Sequence, residues 1–357
     1  MVMRIDDLAR QPGEWLRGTG PDNDIVMSSR IRLARNLAGR PFLTVASHKI
    51  RAELEVQIRG ALDHVNLGIA RMYVSLKEAS AVDRQFLMER HLISRDLLNA
   101  EGDRGVAIAK EETVAIMVNE EDHLRLQVLR SGLQLHEAWK EIDRIDDELT
   151  SRLPMAFHAQ FGYLTACPTN AGTGMRISVL LHLPALVMTR QIDKVFQALS
   201  RISFSVRGLY GEGTQATGNF YQISNQATLG KSEQKLIDDL SNVVPEIVKF
   251  ERHCREKLAN EQKTALEDRV MRACGTLRYA RTISSEETME LLSAIRLGSH
   301  LSLLPDIAPR TINELFISTQ PGHLQKHEGR PLSPQERDLA RAGFIRGKLS
   351  EKLKHSP

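Results

Sequence analysis

From about Glu261 to Pro357 the chain holds no run of residues able to build a strand of any length, and this constrains the fold more than any other feature. Nearly a hundred consecutive residues therefore have to be helices and the turns that join them. Helical spacing of apolar residues begins earlier, after Gly230, at Leu236, Leu240, Val243, Val244, Ile247 and Val248, and resumes from Leu258. Packed helices or a dimer interface account for this pattern without a coiled coil. Upstream the signals are mixed. Residues 25–27 read as a short strand, 48–65 and 82–98 as helices, and 106–109 with 113–118 as a hairpin around a charged turn. Leu124, Val128, Leu135, Trp139 and Ile142 predict one long amphipathic helix, and 161–226 alternates strand and helix signals. The 357 residues suit two domains. The expected division is a lead-in rich in Gly, Pro and Asp over 1–24, an α+β domain over 25–258 and an all-helical domain over 259–357.

Several function classes fall away on composition. Lys and Arg number 48 against 45 Asp and Glu, a balance too even for a general polyanion binder, so direct nucleic-acid binding is not expected. Aromatic residues are only 5%, too few for platforms on which bases or sugars stack. Cys167, Cys254 and Cys274 form no CxxC pair, which disfavours both a disulfide framework and a cysteine-built zinc site. The first fifteen residues lack an apolar core of the signal-peptide kind, and the most apolar stretch, 177–188, is too short to span a bilayer. A cytoplasmic protein without membrane association is the expectation.

Chemistry concentrates in a few motifs. SSRIRLAR, from Ser28 to Arg35, sets Arg30 and Arg32 two residues apart, so on a strand both side chains share a face. Two guanidinium groups so placed can grip phosphate oxygens bidentately, although a basic solvent-facing strand explains the spacing equally well. NEEDHLR, from Asn119 to Arg125, reads as the end of a strand and the start of a helix, with three carboxylates in the favourable field of the helix N-terminus. Either plain capping or a cleft-facing acidic corner fits that segment. CPTNAGTGMR, from Cys167 to Arg176, is glycine-rich, and Gly172 and Gly174 permit close backbone approach to a ligand. RGLYGEGT, from Arg207 to Thr214, joins Arg, Gly and Glu after an apolar strand over 202–206, and 216–226 reads as a loop returning to a strand. Walker, GxGxxG, HRD and DFG motifs are missing, which excludes P-loop enzymes and protein kinases of the eukaryotic type.

Taken in order, SSRIR, ERH, NEEDHLR, CPTNAGTGMR, RGLYGE and ISNQ closely resemble the catalytic domain of the phosphagen (guanidino) kinases, from about Ile25 to about Phe250. The resemblance implies an α+β fold with an antiparallel sheet flanked by helices. It implies that Arg30, Arg32, Arg125, Arg176 and Arg207 cradle the phosphates of ATP and that His91 lies beside the adenine. Ser28, Ser29, Ile31, Ile177, Ser178, Val179, Leu180, Gly208 and Gly211 complete the implied nucleotide-binding segments. Glu121 and Glu212 match the carboxylates that hold the acceptor guanidinium, and Cys167 matches the reactive cysteine next to it. The implied Mg²⁺ is held by nucleotide and water, with no protein ligand set.

Outside that core the layout departs from the small-guanidine kinases, which carry a helical domain before the SSRIR-type motif. Here the motif begins at Ser28, and a helical domain follows the core instead. This arrangement resembles the bacterial protein arginine kinases of the McsB type. ERDLARA supplies Arg337, Asp338, Arg341 and Ala342, similar to the RDxxRA motif that forms an allosteric phosphoarginine pocket in that family. The resemblance implies a homodimer acting on exposed arginines of proteins, among them a heat-shock repressor. It also implies a zinc-binding activator protein and a Clp-type unfoldase–protease as partners. A kinase of a free small guanidine compound, and a catalytically silent adaptor, are the alternatives; retention of every matched arginine and both glutamates argues against the adaptor.

Overall fold

The computed structural model describes residues 4–68, 71–109, 111–209 and 216–350. Its elements begin with α1 (Ile5–Ala9), β1 (Val26–Arg35), α2 (His48–Leu62), β2 (Arg71–Ser75), α3 (Ala81–Glu89) and α4 (Arg95–Asn99). There follow β3 (Gly105–Ala109), β4 (Val114–Val118), β5 (Leu124–Ser131), α5 (Leu135–Thr150), β6 (Phe157–His158) and β7 (Gly162–Tyr163). After β8 (Met175–His182) come α6 (Pro184–Met188), α7 (Ile192–Arg201), β9 (Phe204–Gly208) and β10 (Phe220–Asn225). The remainder is helical: α8 (Glu233–Glu261), α9 (Lys263–Tyr279), α10 (Ser285–His300), α11 (Pro309–Ser318), α12 (Pro321–Glu328) and α13 (Pro334–Ser350).

Eight strands pair antiparallel in the order β2-β3-β4-β5-β1-β8-β10-β9, as the resemblance leads one to expect. Strand β1 sits at the centre because its alternation suits both faces. Ile31 and Leu33 point into the main apolar core with Leu126 and Val128 of β5 and Ile177 and Val179 of β8. The side chains of α5 and α8 close that core from outside. The intervening positions of β1, Arg30 and Arg32, face the other way. Helices α2, α3, α4, α8 and α10 each start at a serine (Ser47, Ser80, Ser94, Ser232 and Ser284) whose hydroxyl accepts a first-turn N–H.

Three expectations need correction. Residues 124–131 are strand β5, and the helix starts only at Leu135: Leu124, Leu126 and Val128 alternate as a strand, and 132–134 form the turn between the two elements. NEEDH is consequently a β4–β5 turn, with the Asn119 N–H donating to the His123 carbonyl at 3.0 Å, and no helix dipole acts on its carboxylates. The helix expected over 82–98 is two helices, broken where His91 takes a left-handed φ of 60°. The first 24 residues, moreover, are not merely irregular. They contain α1 and a 3₁₀ turn, Glu14–Leu16, which buries Trp15 against the C-terminal helices.

The helical region packs directly on the sheet-bearing part. Phe220 of β10 meets Phe316 of α11 edge to face, with ring centroids 4.7 Å apart. Arg296 of α10 is wholly buried and donates to Asn313 Oδ1 (3.0 Å), to the carbonyls of Asn23 (2.7 Å) and Asp24 (2.9 Å), and to His182 Nδ1 (2.9 Å). Burial and the neighbouring Arg296 hold His182 well below the usual histidine range, so its ring stays neutral and can accept that bond.

Candidate active site

Strand register brings the arginines together. Arg32 lies opposite Arg176 of β8 and Gln127 of β5; Ala34 lies opposite Arg125; Gln222 of β10 lies opposite both Leu180 and Arg207. Directly paired residues share a face, so Arg30, Arg32, Arg125, Arg176 and Arg207 all rise from the one face that the apolar core leaves free. They line a single cavity of about 560 Å³ together with His91, Arg95 and Gln222. Adjoining it is a smaller recess walled by Ser28, Ser178, Leu129, Leu180, Leu209 and His91. At about 20 Å³ it has room for little more than one water, so a larger group would lie against its mouth inside the main cavity.

The cluster is electrostatically unbalanced. Burial, then the Arg125 charge, lowers the pKa of Arg30 to about 9; burial and Arg30 push Arg32 well below the usual arginine range. Arg176 is lowered by burial and by Arg207. The Nε atoms of Arg30, Arg32 and Arg176 are buried without a hydrogen-bond partner in the protein. Buried donors are normally paired, and like charges this close repel, so the site is built for an anion that supplies both acceptors and counter-charge. Arg125 is the exception. Burial opposes its charge, but Glu120 outweighs that, both carboxylate oxygens accepting from Arg125 Nη1 at 2.5 and 2.6 Å, and its pKa rises.

His91 sits at the wall of both cavities. Gln127 Nε2 donates to its carbonyl at 2.6 Å, and Trp15 meets its ring edge-on at 5.2 Å. Burial, then Arg30, takes its pKa down to about 3, so the ring is neutral. The two preceding residues tie this turn to the C-terminal helices. Glu89 accepts from the N–H groups of Gly322 (2.7 Å) and His323 (3.0 Å) at the start of α12, while Arg90 pairs with buried Glu112.

Beside the arginine cluster, Glu121 stands next to Glu120 in the β4–β5 turn, half-buried, and burial followed by the Asp122 charge raises its pKa. Asp122 Oδ1 accepts from Asn36 Nδ2 (2.6 Å) and from the Ala166 N–H (2.7 Å), which locks the Cys167 loop to the glutamate turn. Cys167 is partly exposed, with Sγ 2.9 Å from Thr169 Oγ1, whereas Cys254 and Cys274 are buried in α8 and α9. Gly172 and Gly174, both at positive φ, make room for the protein's own backbone: a Cβ on Gly172 would lie 2.4 Å from the Thr228 carbonyl oxygen, and one on Gly174 2.7 Å from that of Ala34.

The structure thus gathers the five arginines, His91, Ser28, Ser178, Leu180 and Gly208 around the cavities. It places Ile31, Ile177 and Val179 in the core on the opposite face, where their side chains cannot reach a ligand. Ser29 is buried on β1 against the 132–134 turn, donating to the Gly132 carbonyl and accepting from the Gln134 N–H. Glu121 and Cys167 flank the site without lining the cavity; Gly211 and Glu212 lie outside the described residues. Sequence reading overlooked Arg95 and Gln222 in the lining, and the roles of Glu120, Asp122 and Asn36. The first two carry no motif, but Glu120 and Asp122 stand inside NEEDH. In the C-terminal region Arg341 is buried, donating to the carbonyls of Thr319 (2.9 Å) and Ile283 (2.8 Å) and pairing with Asp338 at 2.5 Å. Ala342 is buried beside it, while Arg337 is partly exposed.

Residues 53–254 match the model of the ATP:guanido phosphotransferase C-terminal catalytic domain, and fold and site together define that class of enzyme. Residues 263–356 match the model of the protein-arginine kinase McsB C-terminal domain. The protein-arginine kinase of Desulforamulus reducens is 49% identical over 98% of this chain and 99% of its own, and that of Bacillus subtilis 44% over 94% and 93%. The chain belongs to the protein-arginine kinase family, whose reaction is phosphorylation of arginine in proteins. Among solved structures, a lombricine kinase superposes with a TM-score of 0.57 at 26% identity, covering 71% of each chain. A duplicated taurocyamine kinase from Schistosoma mansoni, with bound transition state analog components, gives 0.59 at 28% identity over 69% of this chain and 35% of that one. No helix among the described residues is long and apolar enough to cross a membrane.

Proposed function

We propose that the arginine cavity takes ATP together with magnesium and that the γ-phosphoryl group passes to a guanidinium nitrogen of an arginine on a folded or unfolded protein. The observation that carries this reading is the set of five arginines on one sheet face, three with buried, unpartnered Nε atoms. A phosphoryl-transfer transition state is loose and spreads charge over its equatorial oxygens, so positioned cations suffice without a covalent step. Arg30, Arg32, Arg176 and Arg207 meet the phosphates, Arg125 is aimed by Glu120, and the base lies in the main cavity against neutral His91 and Leu209. No group of three or more His, Cys, Asp or Glu among the described residues could hold a metal, and Glu120 is already neutralised by Arg125. In this reading magnesium comes with the nucleotide, held by phosphate oxygens and water.

The acceptor arrives protonated, since an arginine side chain has a pKa above about 12. A carboxylate does not remove that proton beforehand. Glu121, with Glu212 as its counterpart, aligns the guanidinium and accepts the proton as the N–P bond forms. Burial, which raises the pKa of Glu121, makes it a better acceptor. Cys167, locked to the same turn through Asp122, adds a polar contact for the guanidinium.

The reading extends to regulation and partners by family likeness. The domain boundary falls near 258, and 259–357 carries dimerisation and a phosphoarginine pocket. In that pocket Arg341 is a strut that fixes Asp338, which leaves Asp338 for the guanidinium and Arg337 for the phosphate. Its cytoplasmic targets include a heat-shock repressor, a zinc-binding protein activates it, and a Clp-type unfoldase–protease consumes its products. Incubation with ATP and either an arginine-rich protein or free arginine tests the core of the reading. Acid-labile phosphate on the protein is expected; transfer to free arginine alone overturns it.

A further inference from the structure

A kinase of protein arginines has to hold polypeptide on either side of the acceptor, and the structure carries an apolar surface suited to that beside the Cys167 loop. Phe157, Phe161 and Leu229 are 61, 52 and 53% exposed, large apolar side chains that no part of the described chain covers. They belong to one unit. The β6–β7 hairpin carries both phenylalanines and pairs with the Cys167 loop where the Tyr163 N–H donates to the Gly172 carbonyl at 2.8 Å. Leu229 follows Thr228, whose hydroxyl donates to the carbonyls of Thr169 and Ala171 in that same loop.

The rings are also held in place. Phe161 stacks on His158 at 5.0 Å, and Phe157 meets Tyr163 edge-on at 5.3 Å. Tyr163 in turn lies under the Arg35 guanidinium at 3.5 Å, and Arg35, at the end of β1, is fixed by Asp146 of α5. Exposed aromatic groups that are already ordered lose little freedom on binding, and clustered exposed apolar groups mark contact surfaces.

Resting on the function proposed above, we infer that the Phe157–Phe161–Leu229 surface docks the apolar residues flanking the acceptor arginine of a protein substrate. The occupant is fixed by continuity. The loop that bears Cys167 is bonded to the Glu121 turn through Asp122, so a chain presenting its arginine there passes over this unit. A single unfolded or locally opened segment with apolar neighbours of arginine fits; a free amino acid does not reach the surface.

The test compares two acceptors for Phe157→Ser, Phe161→Ser and Leu229→Ser, all at exposed positions. One is an unfolded arginine-containing protein, the other a short Gly-Arg-Gly peptide. Truncating a contact anchor typically costs about tenfold in affinity or more. A rise of about tenfold in KM for the protein, with kcat and peptide phosphorylation unchanged, is expected. An unchanged KM, or equal losses on protein and peptide, overturns the inference. So does a shift in solution mass, which would make the surface an interface between copies of this chain. If the wild-type enzyme modifies neither acceptor, it is the function reading that fails, and this inference falls with it before any variant is made.

Discussion

Removing one charge from the arginine cluster should strengthen the nucleotide-free enzyme while crippling its hold on ATP. Arg30→Met is the cleanest case. Methionine keeps much of the stem's volume, and because Arg30 Nε has no acceptor in the protein, the change leaves no buried oxygen unpaired. A guanidinium whose pKa has dropped to about 9 is charged at pH 7 against the preference of its surroundings. Each pH unit of such displacement corresponds to about 1.4 kcal/mol, so the full penalty is several kcal/mol, of which relaxation and water recover part. A gain of about 1–3 kcal/mol is expected, with the melting temperature rising by several degrees. The sign with pH follows: the penalty is complete below pH 9 and is relieved as pH climbs from 9 toward the ordinary arginine range, so wild type and variant converge in strong base. Arg125→Met should do the opposite. It strands the Glu120 carboxylate, whose side chain is fully buried, and breaking such a pair costs about 3–5 kcal/mol. Melting curves with and without ATP measure both effects. For Arg30→Met the ATP-induced upshift should shrink, since losing a charge-assisted phosphate contact costs about 1.5–3 kcal/mol. A destabilised Arg30→Met enzyme with its ATP shift intact would refute the view that the cluster is strained toward an anion.

Further outcomes follow from the acceptor side and the C-terminal region. Glu121→Ala should lower turnover by about 10²–10⁴ while leaving ATP binding nearly intact, because Glu121 flanks the cavity without lining it. The acid limb of the wild-type pH–rate profile should lie above the ordinary glutamate range, since burial and then Asp122 raise Glu121; a limb at or below that range would remove Glu121 as the proton acceptor. Cys167 should alkylate before buried Cys254 and Cys274, and nucleotide should slow it; mass spectrometry with Cys254 labelled first would contradict this. In calorimetry on a catalytically dead background, Arg337→Ala and Asp338→Ala should weaken phosphoarginine binding with the ATP site still formed. Arg341→Ala, by contrast, should lower the melting temperature as well, because it leaves the Thr319 and Ile283 carbonyls unpaired.

How far the sequence foretold all this depended on the range of the interaction. The shared face of Arg30 and Arg32 was legible because a strand's period is two and needs no partner to specify it. The placement of Arg125 was legible only by resemblance. Leu124 and Val128 fit helical spacing as well as strand alternation, and pairing with β1 decided between them. Glu89 of the ERH motif binds Gly322 and His323 across 233 and 234 positions, a contact no local pattern encodes. Ile31, Ile177 and Val179, which belong to the same motifs, turn their side chains to the core, because every second side chain on a strand points that way. The glycines of CPTNAGTGMR were rightly singled out as sites of close approach, but what approaches is the backbone at Thr228 and Ala34.

The central claim, that this arginine-lined site phosphorylates arginine in proteins, is tested most directly by mass spectrometry of an arginine-containing protein incubated with ATP and the enzyme under conditions that preserve phosphoramidates. The account predicts phosphate on arginine guanidinium groups, lost on mild acid treatment and missing when Glu121→Ala replaces the wild type. Phosphate confined to hydroxyl side chains, or found only on added free arginine, would contradict it.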